Sequence, residues 1–248
     1  MWCPSCRGEY VEGLERCPRC GVGLVEDAPQ APPPTRRGLL VPASTAAIVG
    51  VVLILAVRAV GTVMIPQQIE ILGAMITLHL VGYLALVAFL AAFLVEPPSG
   101  SATGVRVATG LTLTVVGAAA AGIALELANL LGAAVSPRVL RGGLVPVLSL
   151  LVPVAAVLFF ATVRAHARRR DPELSRAAGV ALVGSAVSAT VHIGVAAWWR
   201  VIGSPDMVRA SPALLIAGLV VSAGVTATLL VFFATVRRQA KLRVTHPL

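Results

Sequence analysis

From residue 39 onward the chain alternates long apolar runs with short breaks of proline, glycine and arginine. Six runs stand out, at 39–62, 69–95, 105–131, 142–164, 177–201 and 212–236. Each is long enough to cross a hydrocarbon core of about 30 Å as a helix. The breaks carry helix-ending chemistry: Pro66, Pro97-Pro98-Ser99-Gly100, Ser136-Pro137, Asp171-Pro172 and Ser204-Pro205. The pattern predicts an all-α polytopic membrane bundle of six transmembrane helices, occupying residues 39–240. Ahead of it lie a polar, cysteine-rich head at 1–27 and a proline-rich linker at 28–38; a basic tail, 241–248, follows. The linker run Ala28-Pro29-Gln30-Ala31-Pro32-Pro33-Pro34-Thr35 favours extended polyproline geometry and predicts a semi-rigid spacer.

Composition agrees with a bilayer. The chain is 57% hydrophobic and 12% charged, whereas a soluble domain is about 45–50% apolar and about 25% charged. The head lacks the charged-then-apolar plan of an export signal, so the first span is expected to serve as the insertion signal. Nineteen of the twenty basic residues are arginine. That bias, with abundant Ala, Val and Gly, suggests a GC-rich bacterial genome.

The net charge of +9 divides unevenly: residues 1–27 sum to −2 and the remainder to +11. The excess lies in short loops, where it sets orientation rather than nucleic-acid affinity. With the N-terminus inside, twelve basic residues fall on the inner side: Arg36, Arg37, Arg106, Arg164, Arg168, Arg169, Arg170, Arg176, Arg237, Arg238, Lys241 and Arg243. Five fall outside: Arg58, Arg138, Arg141, Arg200 and Arg209. The expected location is therefore the inner (cytoplasmic) membrane of a bacterium, with both termini cytosolic. The basic segments 164–176 and 237–243 are expected to meet anionic membrane lipid. Trp198, Trp199 and Arg200 read as an interfacial anchor.

The spans also repeat. Leu158-Phe-Phe-Ala-Thr-Val-Arg164 and Val231-Phe-Phe-Ala-Thr-Val-Arg237 share six residues of seven, and each precedes a basic run. This predicts duplicated helical hairpins. The first hairpin, ending Phe89-Leu-Ala-Ala-Phe-Leu-Val95, reads as a diverged third copy. Three hairpins in one orientation make a parallel repeat about an axis along the membrane normal. Small residues are dense in the third, fifth and sixth spans: Gly117, Ala118, Ala121, Gly122, Gly184, Ser185, Ser188, Gly218 and Gly224. They favour close helix packing, within a compact bundle or a homo-oligomer.

Candidate chemistry begins in the head. Cys3-Pro-Ser-Cys6 and Cys17-Pro-Arg-Cys20 hold the chain's four cysteines. Two Cys-x2-Cys turns present four thiolates to one tetrahedral ion at about 2.3 Å, and a closed ligand set points to structural Zn2+. Iron in the same four-sulfur geometry and disulfide or redox-active pairs are the other readings. The head is too short for a core of its own, so a bound metal would supply its folding free energy, about 10–16 kcal/mol. Gly21 after Cys20 is expected to let the backbone curl past the metal. The two halves, Cys3-Pro-Ser-Cys6-Arg-Gly-Glu-Tyr-Val-Glu and Cys17-Pro-Arg-Cys20-Gly-Val-Gly-Leu-Val-Glu, together resemble the short zinc-ribbon heads at the N-termini of many bacterial proteins. The resemblance implies a small β zinc ribbon built on a rubredoxin-like knuckle pair. Arg7 stands where that family often has Gly. A charge of −2 and the lack of interleaved aromatics argue against nucleic acid as its partner. A cytosolic or membrane protein is the expected contact.

Inside the spans, Arg58, His79, Glu126 and His192 are the ionisable residues that could form an intramembrane polar cluster. The alternatives are structural pairing of Glu126 with Arg58 or Arg200, and histidines bonding across helices. No phosphate-binding glycine loop, metalloprotease motif or nucleophile elbow occurs. The expected function is non-enzymatic: a membrane protein with a cytosolic zinc ribbon in an interaction, regulatory or assembly role. The alternative is a small transporter or channel using polar residues between the repeated hairpins.

Overall fold

A computed structural model describes residues 1–3, 9–11, 13–18, 21–26, 38–63, 69–97, 103–132, 145–202 and 212–245. Outside the described residues lie Cys6, Cys20, most of the proline-rich linker, the breaks at Pro66, Ser136-Pro137 and Ser204-Pro205, and residues 246–248. The chain divides into two compact units, Met1–Arg37 and Gly38–Leu248.

The second unit is six helices: α1 Leu40–Val63, α2 Ile69–Val95, α3 Thr103–Leu130, α4 Val145–Ala167, α5 Pro172–Ile202 and α6 Pro212–Thr245. All six are long and apolar enough to cross a membrane. The chain is thus a multi-pass helical membrane protein. The expected first, second and third spans agree with the helices to within two residues. The later helices run further. α5 begins at Pro172 because Asp171 caps it: the Leu174 N–H donates to Asp171 Oδ1 at 2.9 Å, and proline suits the first helical position. α6 continues through the basic segment to Thr245, so the expected tail is helical where it is described.

Each helix packs against its neighbours in sequence, and α6 closes the ring against α1. Neighbours are antiparallel. Gly50 on α1 meets Gly82 on α2, and Gly61 meets Met75 further along. Gly184 on α5 meets Thr228 on α6. A Cβ at Gly50 would lie 2.8 Å from the Gly82 carbonyl oxygen, so α1 and α2 touch backbone to backbone. By contrast, Gly117, Gly218 and Gly224 have open space where a Cβ would be. Gly117, Gly218 and Gly224 therefore make no tight contact within this bundle, whereas Gly50 and Gly82, in the first two spans, and Gly184, in the fifth, do.

The core is aromatic. All six phenylalanines of the chain lie on α2, α4 and α6, and all join one cluster. Phe89 meets Phe233 edge-to-face at 4.7 Å between ring centroids, Phe93 meets Phe159 at 5.3 Å, and Phe160 meets Phe232 at 4.9 Å. The repeated heptapeptide supplies four of these rings. The first hairpin falls into the same register. Phe89, Phe159 and Phe232 are equivalent, as are Leu90, Phe160 and Phe233, and Phe93, Val163 and Val236; all nine are buried. The odd-numbered helices follow suit. Leu40, Val105 and Leu174 are buried one spacing before Ser44, Thr109 and Ala178, then Ala47, Thr112 and Ala181, then Val51, Val116 and Ser185. A 4-3-4 spacing keeps one helix face inward. Three hairpins thus present the same buried positions, and the third copy is visible in packing where identity is weak.

Starts of odd helices and ends of even helices share one end of the bundle. That end also carries Arg164, Arg168, Arg169, Arg170, Arg237, Arg238 and Lys241, and is called the basic end below. Among the described residues the ion pair there is Arg238 to Glu173 at 3.9 Å, with both side chains well exposed. Such a pair contributes little. Stability rests on the rings, because lipid tails are as apolar as leucine and only packing separates the folded from the dispersed state. Phe232→Ala is expected to cost roughly 2–3 kcal/mol through the cavity and lost dispersion contacts. Val231→Ala, on the exposed face next door, is expected to cost under about 0.5 kcal/mol. Thermal unfolding of both variants in one detergent checks the contrast.

Candidate functional site

In the half of the bundle away from the phenylalanine cluster, the packing opens into a cavity of about 570 Å³. Five helices wall it: α1, α2, α4, α5 and α6. Most of the lining is aliphatic, from residues such as Val51, Ile54, Leu86 and Leu229. Pro153 on α4 also lines it, and a proline there leaves the carbonyl one turn earlier without its helical donor. The space lies beside this interruption.

Polar groups enter this apolar space from three sides. Arg58, on the second turn from the end of α1, donates from Nη1 to Ser222 Oγ on α6 at 3.2 Å. His192 on α5 sets its Nδ1 2.8 Å from the Ser188 carbonyl oxygen, which can only accept. In this arrangement Nδ1 carries a proton and donates to that carbonyl. The Ser188 hydroxyl lies 3.4 Å from the same nitrogen. Tyr83, Ser185 and Thr226 complete the polar lining.

Of the four ionisable residues picked out in the spans, two share this cavity: Arg58 and His192. His79 sits one turn before Tyr83 on α2 and packs against its ring at 5.4 Å. It is not among the described residues that line the cavity. Glu126 is half-buried on α3, the one helix that does not line the cavity. The suggested pairing of Glu126 with Arg58 is not formed; the guanidinium bonds Ser222 instead. Ring order explains this, since α1 packs against α2 and α6 while α3 packs against α2 and α4. The side chains of Trp198, Trp199 and Arg200 lie outside the description.

Sequence reading missed Ser222 and Thr226, and took Ser185 and Ser188 only for close-packing positions. Their spacing was the available signal. Ser185, Ser188 and His192 lie on one face of α5, and Ser222 and Thr226 fall four apart on α6.

In the head, three short backbone pairings hold the described residues together: Trp2 with Glu9, Trp2 with Val25, and Arg16 with Gly23, all antiparallel. They are isolated bridges rather than full strands among the described residues. Cys3 and Cys17 are both buried, at 0% and 2% exposure. The Tyr10 hydroxyl lies 3.2 Å from Cys17 Sγ. The Gly21 N–H donates to the Cys17 carbonyl at 2.8 Å, and Gly21 takes a φ of +68°, a left-handed turn that glycine adopts without strain. Among the described residues no three His, Cys, Asp or Glu side chains gather. Two of the four expected ligands, Cys6 and Cys20, are not among those residues.

No family model, curated protein or solved structure matches this chain. The site must be read from its own chemistry.

If the cavity is open to small molecules, a thiol placed in it will react where a thiol in the packed half will not. Ser188→Cys is expected to be alkylated by a small uncharged maleimide. Thr109→Cys, at a position with 0% exposure, is expected to stay unlabelled under the same conditions. Peptide mass spectrometry separates these sites from the head cysteines.

Proposed function

We propose that this chain is a non-enzymatic bacterial inner-membrane protein that binds a small ligand within its bundle and presents a zinc-stabilised head to a cytosolic protein partner. One observation carries the reading of the body: an apolar cavity with a few convergent polar groups, walled by five of the six helices. Its volume falls within the range of about 300–1,000 Å³ typical of ligand sites. An apolar lining with few polar groups suits binding better than free conduction of ions. A second reading, a carrier that alternates between two openings, is favoured by the threefold hairpin repeat, since parallel repeats are one way transporters are built. In that case the aromatic cluster would be the inner gate.

For the head, the proposal is a structural Zn2+ held by Cys3, Cys6, Cys17 and Cys20. Two buried cysteines in so small a unit, with a glycine turned left-handed after the second knuckle, support it. A thiolate at Cys17 would accept the Tyr10 O–H, which stabilises its charge. The metal would organise the fold and leave no open position for catalysis. With the head cytosolic, its acidic surface would contact a basic protein surface rather than nucleic acid.

Elemental analysis of the purified full chain is expected to find one zinc per polypeptide. Cys17→Ser is expected to release it while leaving the body's thermal transition in place. Pull-down from native membranes with and without residues 1–27 then tests the partner: proteins recovered only with the intact head support the contact role. Equal recovery in both samples removes it. Proteoliposome flux of small solutes separates binding from transport.

A further inference from the structure

The cavity's lining restricts what it accepts, and this inference rests on reading it as a ligand site. Among the described residues that line it, Arg58 alone carries a full charge, and no carboxylate is among them. Its one hydrogen bond there goes to a neutral hydroxyl, Ser222 Oγ. An arginine inside a hydrocarbon layer is expensive unless it meets an anion, a polar backbone group or water. Ser222 satisfies one N–H of five. The remaining donors form a planar fork suited to carboxylate or phosphate oxygens. Apart from the hydroxyls of Tyr83, Ser185, Ser188 and Thr226 and the His192 ring, the rest of the wall is aliphatic, running from Val51 and Ile54 on α1 to Leu229 on α6. It offers an alkyl chain continuous apolar contact but gives a second charge no partner. Because the walls are spanning helices, such a ligand reaches the site by partitioning from lipid.

We propose that the cavity binds a single-chain amphiphile with one anionic head group, the head on Arg58 and Ser222 and the chain along the aliphatic wall. Carboxylate and phosphate heads share this chemistry.

The test uses full-length protein in nanodiscs of zwitterionic lipid, with empty discs as background. Radiolabelled hexadecanoate, hexadecyl phosphate and hexadecanol are the probes. Saturable binding of at least one anionic probe is expected at about tenfold or better over the alcohol, the gain of a charge-assisted hydrogen-bonded pair. Arg58→Gln is expected to reduce that anion to the level of the alcohol, and Arg58→Lys to keep part of the preference. Which anion binds more tightly identifies the head group. Val225→Trp, which fills the cavity, is expected to abolish binding of every probe.

If wild-type protein binds acid, phosphate and alcohol equally, or Arg58→Gln keeps the preference, the anion assignment is wrong. Loss of the alcohol in Val225→Trp would then leave the cavity itself standing as a binding site. If no probe exceeds empty discs, or Val225→Trp binds undiminished, the ligand-site reading falls as well. Each variant is first shown to elute as wild type in gel filtration, so misfolding is not read as lost affinity.

Discussion

The bundle depends on six phenylalanine rings meeting where three helices converge. In water, burying apolar surface would hold such rings together. In lipid that drive is absent, and stability comes from dispersion and from ring geometry. Edge-to-face pairs contribute about 0.5–1.5 kcal/mol each beyond simple contact. The interplanar angles, 75° for Phe89 with Phe233 and 78° for Phe160 with Phe232, belong to that arrangement. Because α2, α4 and α6 each bring two rings, the cluster ties together helices that are not neighbours in the ring.

The cluster also decides where space is left. Packing is dense where the repeats match, from Leu40 to Val51 on α1 and from Phe89 to Phe93 on α2. Beyond that the three hairpins diverge, and the interior opens beside Arg58 and His192. The two halves thus divide the work: one fixes the fold, and the other keeps polar chemistry in an apolar setting. The head is a separate case. It has a backbone frame of a few bridges and two deeply buried cysteines, and too few residues to bury a core. A metal held by its cysteines, as proposed above, would supply the missing stability.

Much of the body was legible in the chain. Run length and hydropathy identified all six helices, since a membrane demands about 20 apolar residues per crossing and satisfies every backbone group within the helix. Helix ends were less legible. Asp171 extends α5 backward, and in water the basic stretch after Arg237 keeps its helical hydrogen bonds, so apolarity alone set the boundaries short. The duplicated Phe-Phe pair was plain to read. Its convergence with Phe89 and Phe93 into one cluster was suggested only by a weak likeness.

The chain by itself determined the number of crossings, the repeat and the clustering of four cysteines, because these follow from composition and spacing along one dimension. Tertiary structure decided which distant polar groups meet. Arg58 faces Ser222 and shares a cavity with His192, while Glu126 lies on the one helix outside it. Nothing in the order of residues states that α6 closes the ring on α1. That closure places a serine on the last helix beside an arginine on the first, and side-chain packing across the bundle brings it about.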